Sequence, residues 1–108
     1  MRRRRCATGS GFAVTRAVHL FIEGRVQGVG FRDWLKREAQ GLGLSGWVRN
    51  RGDGRVEAQA QGAPELIDRL VAACHRGPDL AHVRHVELVE IPINSALSGE
   101  FVRLSTVS

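Results

Sequence analysis

Residues 17–42 read AVHLFIEGRVQGVGFRDWLKREAQGL, and the apolar period changes inside that stretch. From Ala17 to Gly24 it is two: Val18, Leu20 and Ile22 alternate with His19, Phe21 and Glu23. That is the pattern of a strand with one buried face. From Phe31 to Leu42 the period is 3.6, with Phe31, Trp34, Leu35, Ala39 and Leu42 on one side and Lys36, Arg37 and Glu38 facing away. That is a helix with a single apolar stripe, which must cover one face of something else. A glycine-bearing loop joins the two.

The same reading extends to the C-terminus. LSGWVRN and RVEAQAQ flank Arg51-Gly52-Asp53-Gly54. Asp and Gly tolerate the positive φ angles of tight turns, so the three pieces form a hairpin. Residues 65–76 predict a second helix through Leu66, Ile67, Leu70, Val71 and Cys74, opened by Pro64 and closed by Gly77-Pro78. HVRHVELVEIP is a long fourth strand, and EFVRLST a short fifth one. The expected fold is α+β: a ferredoxin-like split β-α-β sandwich, βαββαβ with a short fifth strand. Both helices should lie on one face of an antiparallel sheet. Such a fold hosts many unrelated activities, so function must come from a site.

Composition narrows the classes. The chain has 108 residues with 16 Lys+Arg against 11 Asp+Glu, a formal charge of +5. Five of the arginines (Arg2, Arg3, Arg4, Arg5 and Arg16) stand in residues 1–16, which hold no acid. The expected organisation is therefore a basic, disordered arm over 1–16 and one formally neutral domain over 17–108. No apolar run approaches the ~20 residues that span a bilayer, and CATGSGFAVTR is too polar for a secretory signal. The tail weakly resembles an organelle transit peptide. With only Cys6 and Cys74, no disulfide framework is indicated. A cytoplasmic, monomeric protein without nucleic-acid or membrane partners is expected.

The loop between the first strand and first helix, Gly24-Arg25-Val26-Gln27-Gly28-Val29-Gly30-Phe31-Arg32, carries the chemistry. Two glycines let backbone N–H groups converge on one centre, and the amino end of the helix adds its unpaired N–H groups and partial positive charge. Arg32 can place a planar fork of donors over the same centre. Such a cradle suits a small tetrahedral dianion. The spacing matches neither the Walker A nor the Rossmann glycine pattern. At the end of the second strand, alternation puts Gly46, Val48 and Asn50 on one side and Trp47 and Arg49 on the other. Asn50 there either caps the turn or offers an amide that donates, accepts and never ionises, able to orient a water.

GRVQGVGFRDW followed by GWVRNRGDGRVEAQAQG closely resembles the acylphosphatases, from about Ala17 to Leu104. The arginine tail has no counterpart in the family's pattern. The resemblance implies hydrolysis of the carboxyl–phosphate bond of small acyl phosphates without a metal or other cofactor. It assigns phosphate binding to the loop Val26, Gln27, Gly28, Val29, Gly30 and Phe31 with Arg32. It assigns positioning of the attacking water to Asn50. Phosphoryl transfer needs charge stabilisation and alignment more than acid–base power, and no general base stands in either motif. The water's proton is expected to go to the substrate's own phosphate.

Other features have plainer readings. Asp53 in Arg51-Gly52-Asp53 is turn chemistry rather than an adhesive tripeptide or a base. His82 and His85, at i, i+3 on a strand, are expected on opposite faces and not as metal ligands. Cys74 and Trp34 are core, His75 a favourable helix-end residue, and Phe21 and Trp47 cover the open sheet face. Two other functions fit the fold. One is a nucleic-acid-binding module, disfavoured because RVEAQAQ carries no aromatic and the body is neutral. The other is a carbamoyl-phosphate-handling or regulatory domain like those within larger maturation enzymes, disfavoured because the chain is short with no second domain.

Overall fold

The computed structural model describes residues 15–97 and 99–107. In chain order it contains β1 (Arg16–Arg25), α1 (Phe31–Gly41), β2 (Ser45–Asn50), β3 (Val56–Gly62), α2 (Pro64–Arg76), β4 (His82–Ile91) and β5 (Phe101–Arg103). The strands form one sheet in the order β4-β1-β3-β2-β5. β3 lies antiparallel between β1 and β2, with Leu20 and Val48 both opposite Ala58. This is the split β-α-β arrangement expected, with one correction to the antiparallel sheet. β5 runs parallel to β2, so the sheet is mixed. β4 occupies the opposite edge, and the chain crosses the width of the sheet before β5 begins.

The two-residue alternation and the helical stripes meet in one core. Val18, Leu20 and Ile22 of β1, Val48 of β2, and Val56, Ala58 and Ala60 of β3 pack against Phe31, Leu35, Ala39, Ile67, Leu70 and Cys74. Trp34 is partly buried against this cluster, with its ring 5.2 Å from that of Phe31. The end of α1 is a Schellman motif. Leu44 N donates to Ala39 O and Gly43 N to Gln40 O, both 3.0 Å, with Gly43 at φ +70°. Helix α2 opens on Pro64 and closes at Gly77, as read, with His75 and Arg76 in its last turn. Burial pushes the Cys74 thiol up to about 12, the behaviour of a core residue.

Two further expectations are corrected. Arg16 belongs to β1, opposite Gly62, and its guanidinium bonds Asp68 and Glu90. Strand pairing and two carboxylates thus claim a residue that charge bookkeeping had given to the tail. Arg16 is part of the sheet, and residues 16–108 carry twelve basic side chains against eleven acidic. Residues 1–14 of the predicted arm, including Cys6, lie outside the described residues. In β4 the register slips at Arg84, with Glu23 opposite His85 and Gly24 opposite Val83. Strict alternation fails across this bulge, so His82 and His85 are not divided between the faces by it. Among the described residues no group of His, Cys, Asp and Glu is placed to hold a metal ion, and no helix is long and apolar enough to cross a membrane.

The face away from the helices carries a polar network. Glu57, 4% exposed, accepts from His19 Nε2 (2.6 Å), Arg49 Nε (2.9 Å) and Arg51 Nη1 (3.0 Å). Phe21 and Trp47 lie there as expected, with Arg55 over Phe21 and Arg49 over Trp47, each 4.6 Å from the ring centre. Burial opposes the charge on Glu57, but the hydrogen bonds from Arg49, His19 and Arg51 outweigh it and hold the carboxyl below its ordinary value.

Candidate active site

The turn from β1 into α1 sets Gly28 at φ +74° and Gly30 at φ +78°. A side chain at these angles is strained, whereas glycine is not. Gly30 is the N-cap of α1, and no side chain caps that end. The first-turn N–H groups therefore face outward with the positive end of the helix behind them. Arg32 and Asp33 follow within that first turn.

Val26, Gly28, Gly30, Phe31, Arg32, Asp33, Asn50 and Arg103 line one recess of about 90 Å³. A water occupies ~30 Å³ of the liquid, so the recess holds a group the size of a phosphoryl. It is more enclosed than three larger hollows among the described residues. Its entire charged lining is two arginines and one carboxylate. Arg32 Nη1 makes a long 3.4 Å bond to the carbonyl of Leu104.

The parallel pairing of β5 with β2 fixes the far wall. Phe101, Val102 and Arg103 lie opposite Gly46, Trp47 and Val48. Beyond them Leu104 N donates to Val48 O (2.8 Å) and Val107 N to Asn50 O (3.0 Å). Asn50 thus sits at the end of a strand held from both sides, by β3 through Val56 and by the C-terminal segment.

Most of the residues singled out in the sequence meet here. Arg32, Asn50, Val26, Gly28, Gly30 and Phe31 line the recess, although Phe31 is mainly a core residue, 1% exposed. Two loop residues do not. Val29 packs against the core. Gln27 turns to the hairpin and donates from Nε2 to Arg51 O (2.7 Å) and Arg55 O (2.9 Å). It is a strut between the loop and the end of β2. Asp53 is turn chemistry, as read: Oδ1 accepts from Arg55 N at 3.1 Å. Hydrogen bonds from Arg55 hold its carboxyl down to about 2.

Sequence reasoning missed Arg103. Its signal is the alternation with Phe101, buried on the helix side, which puts Arg103 on the same face once β5 is placed beside β2. Nη1 of Arg103 donates to both carboxylate oxygens of Asp33, at 3.1 and 3.2 Å.

Known proteins resemble this chain in sequence and in fold. The profile of the acylphosphatase family matches residues 18–101. The acylphosphatase of Thiobacillus denitrificans is 57% identical over 75 residues, covering 69% of this chain and 84% of that protein. That of Acidiphilium cryptum is 47% identical over 90 residues, covering 83% and 97%. The acylphosphatase structure from Coxiella burnetii superposes with a TM-score of 0.79 at 33% identity, covering 83% of this chain and 93% of that one. Full-length HypF also superposes, at 0.78 and 25% identity, but the match spans 12% of that chain. A profile spanning both motifs, relatives near half-identical over most of their length and the matching fold converge: the chain belongs to the acylphosphatase family.

Proposed function

We propose that the recess between the β1–α1 loop and the end of β2 is where this acylphosphatase hydrolyses its acyl phosphate, with no metal. The backbone N–H groups around Gly28 and Gly30 and the guanidinium of Arg32 hold the phosphoryl oxygens. Asn50 orients a water in line with the carboxylate leaving group. One observation carries the reading: Arg32, Asn50 and the glycine loop, from different parts of the chain, line a single recess of phosphoryl size.

The chemistry fits those parts. A carboxylate is a good leaving group, so fixed donors aimed at the equatorial oxygens supply most of what the transition state needs. The attacking water gives its proton to a phosphoryl oxygen of the substrate, the P–O bond to the acyl group breaks, and carboxylate and inorganic phosphate leave. Asn50, which never ionises, holds the water without taking that proton.

Kinetics of two variants separate the roles. Arg32→Ala lowers kcat/KM by about a hundredfold or more, since each charge-assisted bond contributes roughly 1.5–3 kcal/mol, and weakens inhibition by free phosphate. Asn50→Ala lowers kcat and leaves phosphate inhibition intact. The reverse pattern exchanges the roles, and unchanged kinetics in both removes the site from this recess.

A cytosolic monomer that does not bind nucleic acid belongs to the same proposal. Its supports are the near-neutral body from Arg16 onward and an open sheet face whose arginines are engaged by Glu57 and Asp53. Gel filtration and a salt titration with single-stranded RNA test it.

A further inference from the structure

Asp33 and Arg103 both line the recess; Asp33 stands in the first motif with no role given to it, and Arg103 stands in neither motif. A carboxylate in the wall of an anion site repels its ligand, so the placement of Asp33 requires an account. Arg103 supplies part of one by bridging both Asp33 oxygens through a single nitrogen, Nη1. The pair is about half exposed, 45% for Arg103 and 54% for Asp33. Exposed ion pairs of this kind contribute little to stability, so holding the fold together does not explain it. Only one nitrogen of the Arg103 fork is committed to Asp33, and the fork has five donors. The guanidinium stands on the strand beside the one that carries Asn50, whereas Arg32 stands on the helix side.

We propose that Arg103 is a second phosphoryl-binding guanidinium and that Asp33 is its positioning residue, holding it at the rim until a dianion takes its place. In the empty site Asp33 cancels the excess charge and fixes the fork beside Arg32. A phosphoryl dianion, with twice the charge of a carboxylate and oxygens that also fit the fork, then competes with Asp33 for Arg103. Asp33 weakens binding as it orders the fork, and it eases the exit of inorganic phosphate. Two arginines around one small recess favour a dianion over a monoanion.

The inference rests on the recess being the phosphate site, and inhibition by inorganic phosphate tests both separately. Arg103→Ala raises the phosphate inhibition constant and KM by about tenfold, one lost charge-assisted bond, and Arg103→Lys falls between it and the wild type. Asp33→Asn keeps the side chain's size and removes its charge, and it lowers the phosphate inhibition constant severalfold. Opposite signs are the signature. A pair that only braces the fold is broken by either substitution, and both then shift inhibition in the same direction or leave it unchanged; either result overturns the proposal. Should Arg103→Ala fail to fold, the sign of the Asp33→Asn effect decides alone. Arg32→Ala, assayed alongside, distinguishes the two failures: if it too leaves phosphate inhibition unchanged, the recess itself is not the phosphate site and both readings fall.

Discussion

At the scale of single residues, the proposed site divides into groups that bind charge and one group that aligns a neutral molecule. Arg32 and Asn50 make that division testable, because removing a donor to the phosphoryl and removing the water's orienting amide affect different constants. Asn50→Asp sharpens the test. It keeps the shape and adds a negative charge beside a dianion, so turnover falls by more than about tenfold at neutral pH if a neutral amide is required. Full turnover shows instead that a carboxylate serves as base. Both residues were legible in the sequence because each carries its meaning locally, Arg32 in the first turn after a glycine loop and Asn50 at the end of an alternating strand. Arg103 was not legible, because its position depends on which strand β5 joins and in which direction. That pairing is set by contacts across the whole sheet, and a three-residue strand carries too little pattern to declare it.

At the scale of elements, the site is a junction of loop, hairpin and edge strand, and Gln27 joins the first two. Gln27→Ala removes both bonds to the carbonyls of Arg51 and Arg55. It costs about 1–3 kcal/mol of stability, read from the denaturant midpoint, together with a lower kcat as the loop loosens from the strand that carries Asn50. Unchanged kcat at lowered stability assigns Gln27 to the fold alone. At Gly30 the space beside the backbone is open, so an added methyl group meets only the left-handed backbone angle. Gly30→Ala therefore destabilises by roughly 1–2 kcal/mol rather than unfolding the protein. Order and type of every element followed from periodicity and turn residues, since β1, α1 and α2 each show one clean apolar face. Position along an edge did not follow, as the parallel β5 and the bulge at Arg84 show.

For the whole molecule, the charge of +5 first suggests a polyanionic partner. Arg16 then moves from the tail into the domain, where Asp68 and Glu90 neutralise it, and the body stays close to neutral. The proposed substrate recess gathers two arginines and one carboxylate, and the other large charge cluster centres on buried Glu57. Because Glu57 is held below its ordinary value near 4.5 in the fold, the unfolded chain takes up its proton first as pH falls. The stability from this network is complete above that value and is lost as pH drops through the lower folded value. Denaturation midpoints between pH 6 and pH 2 read this loss directly, and Glu57→Gln, which has no carboxyl to titrate, flattens the curve over the same interval. Hydrolysis of benzoyl phosphate in ¹⁸O-labelled water with EDTA present tests the central claim most directly. A water aligned on phosphorus by Asn50, in a site that needs no metal, delivers the label to inorganic phosphate at an undiminished rate. Label in the benzoate, or turnover abolished by the chelator, contradicts it.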